Sequence, residues 1–150
     1  MAADDLLQRV IERFWETVPP VWGRVRGNAR RCAVEDFNIS LVQFHILRHI
    51  YHGAHSVSDL AERLQTSRPA ISQAVDLLEE KALVTRRQNQ ADRRFVQLDL
   101  TDNGYSLINA IFRENRLWMG EKMSSLTQQE LETLICAMTI LKNTFDSPEE

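Results

Sequence analysis

Apolar residues at Leu6, Leu7, Val10, Ile11, Phe14, Trp15 and Val18 recur at helical spacing and predict a first helix over residues 4–18. Pro19-Pro20 follows, and a proline inside a helix lacks a donor and crowds the preceding turn, so a kink or break is expected there. The helical pattern resumes at Val21, Trp22 and Val25, and residues 26–39 read as a connection with little structure. Ser40 is placed to cap a second helix from Leu41 to about His52, closed by Gly53. Ser56, with Asp59 three residues on, opens a third helix running to about Gln65. Ser67 caps a fourth, with Pro69 tolerated in its first turn, ending near Lys81. The period then changes to two, and residues 83–87 and 95–100 read as strands joined by a polar tip. A long helix over 102–123 comes next. Thr127, with Glu130 three residues later, marks the start of a last helix ending near Phe145.

The resulting fold is mainly α with a small antiparallel β-hairpin wing: a winged helix-turn-helix over 40–101, flanked by long helices over 4–31 and 102–146. These flanking helices are amphipathic. They carry more apolar surface than one chain of 150 residues can bury, which predicts a homodimer with the flanking helices at its interface.

The third helix turns Val57, Leu60, Ala61 and Leu64 inward, and the fourth turns Ile71, Val75 and Leu78 inward. Arg68, Ser72, Gln73 and Asp76 are left facing out. Arg matches guanine and Gln matches adenine bidentately, Ser reaches a base or a phosphate, and a helix N-terminus favours phosphate. Ser67, Arg68, Pro69, Ser72 and Gln73 are therefore the candidate contacts of a major-groove helix. The hairpin offers Arg86, Asn89, Asp92, Arg93 and Arg94, a thin basic finger suited to a minor groove. Charge distribution supports this. Residues 63–94 hold seven basic side chains against four acidic ones, in a chain whose net charge is −3. Double-stranded DNA is the expected partner.

Composition excludes several classes. Hydrophobic residues are 43% and charged residues 26%, ordinary for a folded chain. No apolar run is long enough to span a membrane. The acidic start Met1-Ala2-Ala3-Asp4-Asp5 predicts no secretory signal and a cytoplasmic protein. Two cysteines cannot build a disulfide scaffold. No phosphate loop, nucleophile elbow or paired carboxylate in an apolar setting is visible, so neither an enzyme nor a cofactor is expected.

Several stretches together carry a resemblance. These are Ser58-Asp59-Leu60-Ala61, Ser67-Arg68-Pro69-Ala70-Ile71-Ser72, Val75-Asp76-Leu77-Leu78-Glu79, Leu83-Val84-Thr85-Arg86, Asp92-Arg93-Arg94 and Leu100-Thr101-Asp102-Asn103-Gly104. In this order the chain resembles the multiple-antibiotic-resistance regulator (MarR) family over residues 56–104. The resemblance implies a dimeric winged-helix transcription regulator, more often a repressor, reading an inverted-repeat operator. The first, fifth and sixth helices would form the dimer. It implies that Asp92 and Arg94 form the wing pair and that Arg94 enters the minor groove. The family's glycine after the recognition helix is here Ala82.

The resemblance also implies a small aromatic or anionic effector held near the first, second and fifth helices, where Trp15, Trp22, His45, Arg48 and Arg113 are the candidate lining. Such an effector would act by changing the spacing of the two recognition helices. Two other switches are readable. His45, His49 and His52 share one face of the second helix and are weak candidates for a metal site, with Cys32, Glu35 or Asp36 as further ligands. The zinc-sensing relatives take ligands from a fifth helix, which here has no His or Cys. Cys32 follows Arg30 and Arg31, which would favour a reactive thiolate and make it the candidate redox residue, whereas Cys136 reads as buried packing. A winged-helix module for protein contacts is the remaining alternative.

Overall fold

The computed structural model describes residues 2–88 and 96–146. Its elements run α1 (Ala2–Glu35), α2 (Leu41–Tyr51), α3 (Val57–Arg63), α4 (Arg68–Glu80), β1 (Val84–Gln88), β2 (Val96–Leu100), α5 (Asp102–Met123) and α6 (Gln128–Phe145). The chain divides into two compact units, residues 1–116 and residues 117–150.

The largest departure from the sequence reading is α1. It is one helix of 34 residues that runs through Pro19 and Pro20 and through the stretch expected to be a connection. Pro19 and Pro20 cannot donate to the carbonyls of Trp15 and Glu16. That part of α1 is exposed, which leaves those carbonyls open to water. Beyond the prolines, Ala29, Cys32 and Ala33 turn into the core at helical spacing. Their small size let a buried face pass as a polar connection.

The other helices begin where their caps place them. Ser40 accepts from the Gln43 N–H while the Gln43 side chain accepts from the Ser40 N–H, a complete capping box. Ser56 accepts from the Asp59 N–H and Ser67 from the Ala70 N–H. In the second unit, Thr127 and Glu130 form the capping box of α6.

The core of the first unit is built from the inward rows of its helices and the two strands. Ile46 and Leu47 from α2, Leu60 from α3, Ile71 and Leu78 from α4, and Leu98 from β2 are fully buried. Ile108 and Ile111 add the inner face of α5. The strands pair antiparallel, with Val84 opposite Leu100 and Gln88 opposite Val96. The Leu98 N–H also donates to the His55 carbonyl (2.8 Å), tying β2 to the loop before α3.

α4 ends in a Schellman arrangement. The Ala82 N–H donates to the Glu79 carbonyl and the Leu83 N–H to the Leu78 carbonyl, with Leu78 and Leu83 both buried. Ala82 sits at φ +53°, left-handed backbone that favours glycine. Ala82→Gly should therefore stabilise the fold by about 1 kcal/mol, measurable as a raised midpoint in urea. An unchanged or lowered midpoint would show that Ala82 is unstrained.

Candidate functional site

Two surfaces concentrate unspent chemistry. The first is the outer face of α4. Ile71, Val75 and Leu78 fix the helix from behind, leaving Ser67, Arg68, Pro69 and Gln73 exposed, with Ser72 half-buried. Ser67 contributes its hydroxyl to the cap, and Arg68 and Gln73 project from the first two turns with neither side chain in a described ion pair or hydrogen bond. The α4 N-terminus, Arg68 and Gln73 thus form one exposed polar face.

Arg86, predicted as a wing contact, is tied back to α4. Its guanidinium Nη1 bonds Asp76 Oδ1 (2.6 Å) and Glu79 Oε2, and its Nη2 lies 3.3 Å from the Ser72 carbonyl. Its backbone N–H donates to Glu79 Oε1 (3.1 Å). The side chain is three-quarters covered, so Arg86 joins β1 to α4 instead of facing out as a free cation. Sequence reasoning missed this because the carboxylates come from seven and ten residues upstream, across the turn that ends α4. Asn89, Asp92, Arg93 and Arg94 lie outside the described residues.

The second surface is a cavity of about 400 Å³ in the first unit, walled by α1, α2 and α5. Of the five residues expected to line it, Trp22, His45 and Arg48 do so. Trp15 does not: it lies two turns before Trp22 on α1 and is exposed beside Phe14. Arg113 does not either: its guanidinium turns to Glu114 (3.6 Å). Arg26 and Arg30 from α1 and Arg116 from α5 take their place, together with Phe44 and Phe112. Trp22, Arg26 and Arg30 recur every four residues, so one helical face carries all three; reading residues 26–39 as a connection hid that face.

Among the described residues no carboxylate lines the cavity. None of Arg26, Arg30, Arg48 and Arg116 makes an ion pair among the described residues, whereas Arg13, Arg31, Arg63, Arg86, Arg87 and Arg113 all do. The Nε of Arg48 is shielded from solvent and has no hydrogen-bond partner. Burial, then the charges of Arg26 and Arg30, push the Arg48 pKa down. Burial, then Arg48 and Arg30, hold His45 below the ordinary imidazole range. His45 is therefore neutral at pH 7, and the positive field comes from the guanidiniums. Asn28 donates to Asn115 Oδ1 (2.9 Å), joining α1 to α5 at the cavity wall.

Cys32, the candidate redox residue, is buried, and burial pushes its thiol pKa up against the pull of Arg31. Arg31 Nη2 and Asn28 Nδ2 each lie 3.8 Å from the Cys32 Sγ, and Arg31 also bonds Glu35 (3.0 Å) and Asn28 Oδ1 (3.1 Å). Cys136, expected as packing, is exposed because α6 buries none of its residues within the chain. As for metal, His45 and His49 share a face of α2, but among the described residues no three His, Cys, Asp or Glu side chains come together as a ligand set. No described helix is long and apolar enough to cross a membrane.

The chain is 35% identical over 80 residues to the HTH-type transcriptional repressor MdtR of Bacillus subtilis, a match spanning 53% of this chain and 52% of that protein. It is 27% identical over 100 residues to the regulator MhqR of the same organism, covering 66% of this chain and 69% of MhqR. The chain thus spans about half the length of the first of these relatives. Among solved structures, the transcriptional regulator Tm0710 of Thermotoga maritima superposes with a TM-score of 0.83 over 90% of this chain and 95% of that one, at 23% identity. A mutant S. aureus MepR bound to an oligodeoxyribonucleotide superposes at 0.66 over 89% and 98%, at 22% identity. At these identities the superpositions speak for the fold. The model of the MarR family matches residues 37–94, the stretch that holds α2, α3, α4 and β1, and over this stretch the chain is similar to that family.

Proposed function

We propose that the protein is a homodimeric, sequence-specific DNA-binding transcription regulator, acting most simply as a repressor in the cytoplasm, and that a small anion in the α1–α2–α5 cavity modulates it. The observation that carries the reading is the free outer face of α4. Its exposed N-terminal turn bears Arg68 and Gln73, and apolar packing fixes its inner face. A helix presented this way fits a major groove, with the Ser67 end toward phosphate.

The dimer is supported by apolar faces left exposed among the described residues. Leu6, Leu7, Val10 and Ile11 on α1 are exposed at helical spacing, and so are Leu134, Ile135 and Met138 on α6. A monomer rarely leaves such rows open to water. A two-fold dimer then reads an inverted repeat with half-sites about 10 base pairs apart. An effector would favour a spacing of the two α4 helices that does not fit this repeat.

The test is selection of bound duplexes from a random library at near-physiological salt, with Arg68→Ala and Arg94→Ala alongside. A palindrome should emerge, and Arg68→Ala should weaken binding to it by about tenfold or more, the worth of one base-reading arginine. Enrichment without a palindrome would remove the two-fold dimer from the proposal. No duplex binding by the wild type would leave a protein-interaction module.

A further inference from the structure

We propose that residues 19–27 of α1 form a hinge between the end of the helix that dimerises and the end seated in the DNA-binding lobe, and that this hinge lets one dimer bind half-sites at more than one spacing. This rests on the homodimer and DNA-binding readings and adds to them how the two lobes adjust to an operator.

Pro19, Pro20, Gly23 and Gly27 fall within nine positions of a single helix of 34 residues. Proline and glycine are the two residues least suited to a helix interior. Pro19 and Pro20 leave the carbonyls of Trp15 and Glu16 without their helical donors. Each proline also crowds the residue before it, so Val18 and Pro19 both hold helical backbone that a following proline disfavours. Gly23 and Gly27 add backbone freedom. Among the described residues no packing explains these two glycines. A Cβ at either would meet nothing within 4 Å, whereas one at Gly104 would strike backbone.

Packing holds the lobe end of α1 and leaves the middle bare. Residues 15–24 are all exposed. Beyond them Asn28, Ala29, Cys32 and Ala33 are buried, and Asn28 bonds Asn115 of α5 (2.9 Å). On the other side, Leu6, Leu7, Val10 and Ile11 form the exposed apolar row assigned to the dimer. A helix in a protein is held chiefly by its packed face, so a stretch of poor helix formers without such a face opens more readily than its flanks. Hinges are short stretches of this kind, absorbing backbone change between two bodies that stay rigid.

The angles involved suit a proline kink. One added base pair shifts a half-site by about 3.4 Å and turns it by roughly 35° around the DNA axis. Two hinges, one per protomer, share that turn, so each absorbs about 17°. Kinks at proline are on the order of 20° or more. A change of one base pair is therefore within the hinge, while a change of two asks for roughly 35° from each protomer.

Two measurements decide it. The first is amide hydrogen exchange of the wild-type chain without DNA. Amides of residues 21–27 should exchange at least about tenfold faster than those of residues 8–14 and 29–33. Exchange no faster than in either flank overturns the hinge. Sedimentation of the same sample reports the dimer on its own. The second is binding to the selected palindrome and to copies with one base pair added to or removed from its centre. Wild type should lose less than about fivefold for either change. The variant carrying Pro19→Ala, Pro20→Ala, Gly23→Ala and Gly27→Ala should keep the affinity for the selected spacing and lose at least about thirtyfold for the other two. Its helix content by circular dichroism should equal or exceed that of wild type. Gly120→Ala, which strengthens a helix outside the hinge, should keep the wild-type tolerance. A wild type as intolerant as the fourfold variant, or a fourfold variant as tolerant as wild type, overturns the proposal. A fourfold variant that sediments as a monomer overturns it too, since Gly23 and Gly27 then seat the second copy of the chain. Absence of duplex binding by wild type removes the spacing claim together with the DNA-binding reading, and the exchange profile still decides the hinge.

Discussion

Gly104→Ala should destabilise the chain by ~3 kcal/mol and lower its thermal midpoint by roughly 10 °C. Thr101 caps the start of α5, its hydroxyl donating to the Ala82 carbonyl (2.6 Å) and accepting from the Gly104 N–H (3.0 Å). The Thr101 N–H also donates to the Leu83 carbonyl (3.1 Å). These bonds draw the first turn of α5 onto the backbone where α4 ends and β1 begins. A Cβ at position 104 would meet the Leu83 carbonyl oxygen at 2.1 Å and its carbon at 3.1 Å. Backbone cannot swing away as a side chain can, so either α5 or the turn before β1 must move. Gly120, on the same helix, has nothing within 4 Å of an added Cβ. Gly120→Ala should instead stabilise by about 0.5–1 kcal/mol through helix propensity. Urea unfolding of both variants checks the contrast. If Gly104→Ala lies within 1 kcal/mol of wild type, α5 is not held to this junction.

Gly104 illustrates what a sequence can disclose here. The Leu-Thr-x-x-Gly run was visible as part of the family resemblance, but its physical role, a close approach of helix and backbone, depends on two segments about twenty residues apart. Local signals were readable because they are local: Ser40, Ser56, Ser67 and Thr127 each cap the helix that follows. Period two marked the hairpin correctly within a residue or so. Failures came where a local rule competed with tertiary context. Pro19-Pro20 read as a break, yet exposed carbonyls can turn to water and the helix continues. The cavity was half legible for the same reason: Trp22, His45 and Arg48 lie in stretches recognised as helical, while Arg26 and Arg30 lie in the stretch that was not. Cys32 beside two arginines suggested a thiolate, but burial outweighs neighbouring charge once Ala29 and Ala33 turn the same face inward. Long-range pairing such as that of Arg86 leaves no mark in the sequence at all.

That pairing leads to the second large effect. Arg86→Gln should weaken operator binding by about tenfold without lowering the salt dependence of binding. Hydrogen bonds to charged groups contribute about 1.5–3 kcal/mol, and here they join β1 to the outer edge of α4. Without the guanidinium, Asp76 and Glu79 keep their charges on the helix proposed to face DNA, and phosphates repel them. We propose that Arg86 is a positioning residue, which orients α4 and neutralises two acids instead of contacting the duplex. An arginine on a phosphate behaves otherwise, since removing it lowers the slope of log affinity against log salt by about 1. Replacing the acids as well, as Asp76→Asn and Glu79→Gln in the Arg86→Gln background, should recover most of the lost affinity, because the uncompensated charges are gone. A slope reduced by about 1, with no recovery in the triple variant, would place Arg86 on the DNA backbone. Unchanged affinity in Arg86→Gln would mean that α4 is held by its apolar face alone, with Ile71, Val75 and Leu78 sufficient to fix the angle at which Arg68 and Gln73 are presented.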